Sequence, residues 1–77
     1  MHILLIEDDP STASYAFKGL TEVGHVVDVL ENGKEGMVQA IQTPYDVLIV
    51  DRMLPGMDGL SLVKALRVSG NKTPVLF

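Results

Sequence analysis

Residues 47–50 read Val-Leu-Ile-Val, an unbroken run of branched apolar side chains that ends at Asp51. Residues 3–6 form a second such run, Ile-Leu-Leu-Ile, which ends at Glu7. Neither run alternates apolar with polar residues, as a strand with one solvated face would. Strands that are buried on both faces have this continuous pattern, and they are typical of parallel sheets. The two runs therefore predict two buried strands of a parallel sheet.

The segments between and after these runs carry apolar residues at helical spacing. The first helix is predicted to begin after Asp9 as its N-cap, with Pro10 in its first turn. Gly24 is the predicted C-cap at its end. The second helix is expected to be short and weak, because Gly33 and Gly36 both lower helix propensity. The predicted order is strand 3–6, helix 10–23, strand 25–30, helix 33–43, strand 47–50, helix 60–66 and strand 74–77. This alternation predicts an α/β fold with right-handed crossovers and helices on both faces of the sheet.

Composition limits the classes of function. With 77 residues, the chain is one small domain or part of one. It has no cysteine, which excludes disulfides, thiolate catalysis and cysteine metal ligands, and which fits a reducing cytosol. Its net charge of −4 makes nucleic acid an unfavourable partner for these residues. No apolar stretch is long enough to span a membrane, so we expect a cytoplasmic protein without a membrane partner.

Carboxylates follow both buried strands, at the edge where open parallel sheets bind their ligands. Glu7, Asp8 and Asp9 follow the first run, and Asp51 follows the run at 47–50. If the two strands are neighbours, these carboxylates meet in one pocket, where their mutual repulsion favours a bound cation. A cluster of oxygen ligands without histidine or cysteine suits a hard cation such as Mg²⁺.

Single polar residues near these strands also have ordinary structural interpretations. Asp9 and Asp58 precede predicted helices, and we expect both to act as N-caps rather than as ligands. Arg52 is expected to be a solvated loop residue. His2 and His25 lie where strands begin, opposite the acidic edge, so no catalytic or metal-binding role is expected for them. Only the joint placement of acids after two buried strands indicates a site.

Three motifs follow one another along the chain: Ile-Glu-Asp-Asp-Pro at 6–10, Ile-Val-Asp-Arg-Met-Leu-Pro-Gly-Met-Asp-Gly at 49–59 and Thr-Pro-Val-Leu-Phe at 73–77. In this order they resemble the receiver domain of two-component response regulators, and most of all its OmpR-type transcription-factor branch. The resemblance covers the whole chain. It implies a flavodoxin-like α/β fold, in which a parallel sheet with the partial strand order 2-1-3-4 has helices on both faces.

The resemblance also implies a function for the acidic edge. Asp51 would accept a phosphoryl group from a sensor histidine kinase, with Mg²⁺ as the cofactor. The implied magnesium ligands are Glu7, Asp8, Asp51 and the backbone carbonyl of Met53. Pro55 and Gly56 would shape the loop after the acceptor. Phosphorylation would control a transcriptional output domain, which would bind DNA and would lie outside this chain.

Members of the family have five strands, whereas this chain reaches only the fourth, begun at 74–77. The Ser or Thr after the fourth strand and the Lys after the fifth, which contact the phosphoryl group in the family, are absent from residues 1–77. We therefore expect the N-terminal part of a receiver domain, a signalling module rather than an enzyme. A homodimer or higher assembly is expected to cover the strand that begins at Pro74.

Two other functions compete with this interpretation. A pseudo-receiver or assembly fragment would use the fold for protein contacts without phosphorylation. The missing Ser or Thr and Lys favour it for this chain, whereas intact Glu7, Asp8 and Asp51 argue against it. An acid-dependent phosphatase is less favoured, because such sites usually need a second acid two positions after the nucleophile, where this chain has Met53.

Overall fold

The computed structural model describes all residues from Met1 to Phe77. Strands and helices alternate along the whole chain, as predicted. Their bounds are β1 His2–Ile6, α1 Pro10–Glu22, β2 Val26–Leu30, α2 Gly33–Gln42, β3 Val47–Val50, α3 Gly59–Val68 and β4 Val75–Leu76. None of these helices has the length and apolar character needed to cross a membrane.

The four strands form one parallel sheet in the order β2-β1-β3-β4, which confirms the predicted order 2-1-3-4. β1 lies in the interior of the sheet, where Leu5 pairs with Val29 of β2 and with Ile49 of β3. The last residue of β1, Ile6, pairs with Val50, the last residue of β3. The residues that follow these two strands therefore leave the same edge of the sheet side by side.

The sheet separates two hydrophobic clusters, as expected for strands that are buried on both faces. The larger cluster lies beneath α2 and α3, and it consists of Leu4, Ile6, Ala40, Tyr45, Leu48, Val50, Leu62 and Leu66. The smaller cluster consists of Ile3, Leu5 and Val27, and Ala16 and Leu20 of α1 pack against it. Successive residues of β1 thus enter opposite clusters, which explains why its sequence is apolar without interruption.

Three strands differ at their ends from the sequence prediction. β1 begins at His2 rather than at Ile3. β2 begins at Val26 rather than at His25, because the His25 N–H donates to the Leu20 carbonyl at the end of α1 at 3.2 Å. β4 is limited to Val75–Leu76 rather than 74–77. Pro74 still contacts β3, since its carbonyl accepts the N–H of Leu48 at 2.9 Å, but it has no N–H of its own for a ladder.

The glycines of α2 have a packing role that helix propensity does not reveal. α2 spans the ten residues Gly33–Gln42, which is one residue fewer than the predicted bounds 33–43 and as many as α3 has. Asn32 caps it by accepting the N–H groups of Lys34 at 2.9 Å and Glu35 at 3.2 Å. Gly33 and Gly36 are both buried, and a Cβ on Gly36 would overlap the Cδ1 atom of Ile6. The helix can lie this close to β1 only because these positions lack side chains.

A polar network lies towards the edge where β1 begins, away from the acidic cluster. The Asp28 carboxylate accepts the O–H of Tyr45 at 2.7 Å, and it lies 2.9 Å from Nε2 of His2. The side-chain amide of Gln39 donates to the Tyr45 hydroxyl at 3.0 Å. The hydrogen bond from Tyr45 lowers the pKa of Asp28. His2 therefore has a structural partner in this network.

Candidate functional site

The hydrogen bonds of the sheet fix the two chain segments that carry the acids. The N–H of Asp51 donates to the carbonyl of Ile6 at 2.9 Å, which ties the residue after β3 to the end of β1. The N–H of Glu7 donates to the carbonyl of Leu30 at 3.0 Å, which ties the residue after β1 to the end of β2. Glu7 and Asp51 thus keep their places through backbone contacts, independently of the charges on their side chains.

Three of the four predicted acids come together at this edge. Glu7, Asp8 and Asp51 each offer a carboxylate oxygen within 4.8 Å of the others. Glu7 and Asp51 are half-buried, and Asp8 is exposed. Carboxylate oxygens without nitrogen or sulfur ligands form the donor set that hard cations prefer, so this cluster fits Mg²⁺. Like charges at this separation repel one another, and a divalent cation would remove that repulsion.

The two half-buried carboxyl groups differ in their affinity for a proton. Desolvation raises the pKa of Glu7, and the neighbouring Asp51 raises it further. The pKa of Asp51 is lowered, first by the backbone N–H of Met53 and then by Glu7. As the pH falls, Glu7 takes up a proton before Asp51, which keeps its negative charge.

The loop after β3 holds the carboxylate of Asp51. The N–H of Met53 donates to Asp51 Oδ1 at 3.1 Å, whereas the side chain of Met53 is 81% exposed. A short backbone bridge of this kind restricts the side-chain rotamer of the aspartate. The implied use of the Met53 carbonyl as a metal ligand stays a prediction.

Asp9 and Asp58 cap helices, which confirms their predicted roles. Asp9 Oδ2 accepts the N–H of Thr12 at 2.9 Å and its hydroxyl at 2.6 Å at the start of α1. Asp58 accepts the N–H of Ser61 at 3.0 Å and its hydroxyl at 2.8 Å at the start of α3. These hydrogen bonds lower the pKa of both aspartates. The cluster that could bind a metal therefore does not include Asp9.

Glycines give the loop after Asp51 its path. Gly56 has a φ of +84°, a conformation that residues other than glycine rarely adopt. The role of Pro55 and Gly56 in shaping the loop for phosphorylation stays a prediction. A Cβ on Gly59 would lie 2.7 Å from the carbonyl oxygen of Asp51. The sequence analysis assigned no role to Gly59, because nothing in the sequence shows that this residue packs on Asp51.

An open groove runs beside the acidic cluster. Glu7, Asp51, Arg52 and Met53 line it together with Thr12, Phe77, Leu5, Ile6, Ala16, Ile49 and Val50. Arg52 is exposed, as predicted, and its guanidinium lies 5.8 Å from the ring centre of Phe77. The only contact within 4.0 Å between a basic side chain and a carboxylate joins His2 to Asp28, so Arg52 has no carboxylate within that distance. The sequence did not indicate Thr12 and Phe77 as residues of this groove, because only the fold brings them beside Asp51.

Comparison with known proteins agrees with the geometry. A family model described as "Response regulator receiver domain" matches residues 3–77. The chain is 48% identical over 77 residues to the transcriptional activator protein IrlR of Burkholderia pseudomallei, covering all of this chain and 33% of IrlR. It is 42% identical over 76 residues to the transcriptional regulatory protein CusR of Escherichia coli, covering 99% of this chain and 34% of CusR. The chain thus spans about a third of the length of these curated relatives.

Solved structures show the same fold. The Francisella response regulator 1452 receiver domain matches with a TM-score of 0.93 and 35% identity, over 96% of this chain and 61% of the other. The response regulator TrrA of Thermotoga maritima, in complex with Mg²⁺-BeF, matches with a TM-score of 0.83 and 31% identity, over 88% of this chain and 59% of the other. These likenesses confirm the predicted flavodoxin-like arrangement of strands and helices.

Proposed function

The chain belongs to the response regulator receiver domain family, and we propose that Asp51 accepts a phosphoryl group from a sensor histidine kinase. The observation that carries the proposal is the acidic cluster itself. Asp51 follows a central strand, its pKa is lowered, and it shares a cluster with Glu7 and Asp8. Metal-assisted formation of an acyl phosphate needs an ionised carboxylate that is held in place, with further acids beside it to bind the metal.

The transfer is a displacement at phosphorus. A carboxylate oxygen of Asp51 forms a bond to phosphorus while the bond from phosphorus to the imidazole nitrogen of the kinase breaks. The electron pair of that bond returns to the imidazole, whose other nitrogen carries a proton, so the ring leaves as neutral histidine. Asp51 needs no general base, because its low pKa keeps it ionised. The Met53 N–H orients the carboxylate by holding Oδ1.

We assign the predicted magnesium site to the same cluster. Glu7, Asp8, Asp51 and the backbone carbonyl of Met53 would hold the ion. When bound, Mg²⁺ neutralises the repulsion between the acids and the anionic donor and stabilises charge on the phosphoryl oxygens. The three carboxylates, with oxygens within 4.8 Å of one another, support this assignment.

The proposal extends to a longer protein. Both curated relatives described above are named as transcriptional regulators, and the chain covers about a third of each. We propose that residues 1–77 are the N-terminal part of a receiver domain that controls a DNA-binding output domain. The Ser or Thr and the Lys that complete the phosphoryl site in the family would then lie after Phe77. The pseudo-receiver alternative is less favoured, because protein contacts alone do not require the three clustered acids.

Phosphotransfer in a regulator that contains this chain tests the proposal. We expect phosphoramidate to label the regulator in the presence of Mg²⁺, and we expect chelation of Mg²⁺ or Asp51→Asn to abolish labelling. Asp58→Asn is the matched control, because it makes the same carboxylate-to-amide change in the same loop, and asparagine still caps a helix. Labelling that survives in Asp51→Asn, or that is lost equally in Asp58→Asn, would contradict the proposal.

A further inference from the structure

The first turn of α2 packs directly on the loop that follows Asp51. The N–H of Gly33 donates to the carbonyl of Pro55 at 2.9 Å. A Cβ on Gly33 would overlap the carbonyl oxygen of Met57, and it would lie 2.9 Å from the carbonyl carbon of the same residue. The obstacle is backbone, which cannot rotate aside as the end of a side chain can. Gly33 therefore fits this place because it has no side chain.

A second contact joins the same two segments. Gly56, with its φ of +84°, lies against Asn32, and a Cβ on Gly56 would come within 2.5 Å of Asn32 Oδ1. That oxygen is already fixed, because it accepts the N–H groups of Lys34 and Glu35 as the cap of α2. Asn32, the N-cap of α2, thus also contacts the loop that follows Asp51 and supports it at Gly56.

The loop has little freedom elsewhere. Its two ends meet where the N–H of Gly59 donates to the carbonyl of Arg52 at 3.0 Å. Leu54 and Met57 anchor its middle by packing against the larger hydrophobic cluster. A displacement forced on residues 55–57 by α2 would therefore pass along the chain to Met53, whose N–H holds the carboxylate of Asp51.

We propose that Gly33 is a positioning residue for the acidic site: it lets α2 support the loop so that Met53 and Asp51 keep the geometry needed for Mg²⁺. This inference rests on the proposed function, since it assigns the site to Mg²⁺. This positioning role also explains why α2 begins with Gly33, a residue of low helix propensity. An alanine at position 33 would improve propensity and would push the loop outward.

α2 itself supplies a matched control. Gly36 lies one turn further along, and a Cβ there would overlap Cδ1 of the Ile6 side chain rather than the loop. Gly36→Ala therefore disturbs the packing of the same helix on the sheet without touching residues 55–57. A Cβ on Gly19 of α1 would contact nothing within 4 Å beyond its chain neighbours and the backbone of its own helix, so Gly19→Ala reports the effect of helix propensity alone.

The test is a Mg²⁺ titration followed by backbone amide NMR in a regulator that contains this chain, as the wild type and as the three variants. We expect Gly33→Ala to raise the dissociation constant for Mg²⁺ by about tenfold and to shift the amide signal of Met53 before any metal is added. We expect Gly36→Ala to lower the melting temperature and to leave both the Mg²⁺ affinity and the Met53 signal unchanged. An unshifted Met53 signal in Gly33→Ala, or equal losses of affinity in Gly33→Ala and Gly36→Ala, would overturn the proposal.

Two further outcomes have a defined meaning. If the wild-type regulator shows no Mg²⁺ response, the metal assignment of the proposed function fails, and the Met53 signal still decides whether Gly33 sets the loop geometry. If Gly33→Ala does not fold, Gly56→Ala probes the same contact from the loop side. We expect Gly56→Ala to raise the dissociation constant for Mg²⁺ and to shift the amide signal of Met53 before any metal is added. An unshifted Met53 signal in Gly56→Ala would contradict the proposed contact.

Discussion

The hydrogen bond from Tyr45 to Asp28 makes the stability of the fold depend on pH. The pKa of Asp28 in the folded chain lies below its ordinary value of 3.8, so folding favours the ionised form. The contribution of this group to stability is complete above its ordinary pKa, and it is lost as the pH falls through the lower folded value. Burial opposes the shift, because it disfavours the charged form, but the hydrogen bond from Tyr45 is the larger effect.

Asp28→Asn should therefore lower the free energy of unfolding at pH 7 and have a smaller effect near pH 3. We expect a loss of about 1 kcal/mol at pH 7, at the low end for a hydrogen bond to a charged group, because the Asp28 side chain is 44% exposed. Urea denaturation at both pH values measures it. Tyr45→Phe is the control, since it removes the donor and should reduce the same pH dependence. An effect of Asp28→Asn that is equal at both pH values would contradict this account.

At the scale of single residues, the sequence predicted most of the site. Glu7, Asp8 and Asp51 follow paired strands, and the register of a parallel sheet brings such residues together whatever the helices do. The hydrogen bond from Met53 to Asp51 was not predicted, because it depends on the path of a loop. The contact between Gly33 and Met57 was not predicted either, since residues far apart in sequence form it through the packing of α2.

Asp9 lies beside the acidic cluster but caps α1, and its capping role can be measured separately from Mg²⁺ binding. Asp9→Ala removes the acceptor for the N–H and hydroxyl of Thr12 and should lower the melting temperature of the chain. Asp9→Asn keeps an acceptor and should change the melting temperature much less, because asparagine caps helices about as well as aspartate. Both variants should bind Mg²⁺ as the wild-type chain does. Thermal unfolding and the Mg²⁺ titration measure the two effects, and a loss of Mg²⁺ affinity in Asp9→Asn would show that Asp9 belongs to the metal site.

At the scale of whole elements, patterns of burial predicted more than propensities did. The continuous apolar runs of β1 and β3 identified central strands correctly, because only burial on both faces selects such sequences. Propensity did not reveal why α2 contains two glycines, because Gly33 and Gly36 serve close packing on Met57 and Ile6. The predicted start of β2 was one residue too early, because the N–H of His25 donates to the end of α1 instead of to the neighbouring strand.

The whole molecule buries few of its side chains. Only 15 of 77 residues are buried, whereas Leu76 is 60% exposed and Phe77 is 56% exposed on and beside β4. Cores of this size provide little stability, and an apolar strand with a free edge favours pairing with another chain.

We therefore predict that the 77-residue chain associates through β4. Sedimentation equilibrium should give a mass above the 8.4 kDa of a single chain, increasing with concentration. Leu76→Lys should shift the equilibrium towards monomer, because it places a charge in the proposed contact. Lys72→Ala is a control at a residue outside β4. A cooperatively folded monomer at every concentration would contradict the prediction.

The central claim is that the phosphoryl group is carried by Asp51 and by no other acid of the cluster. Reduction with borohydride converts an aspartyl phosphate to homoserine, and peptide mass spectrometry then locates the converted residue. After treatment of a regulator that contains this chain with phosphoramidate and Mg²⁺, the account predicts homoserine at position 51 alone. Conversion at position 8 or 9, or no conversion in a protein shown to be folded and loaded with Mg²⁺, would contradict it.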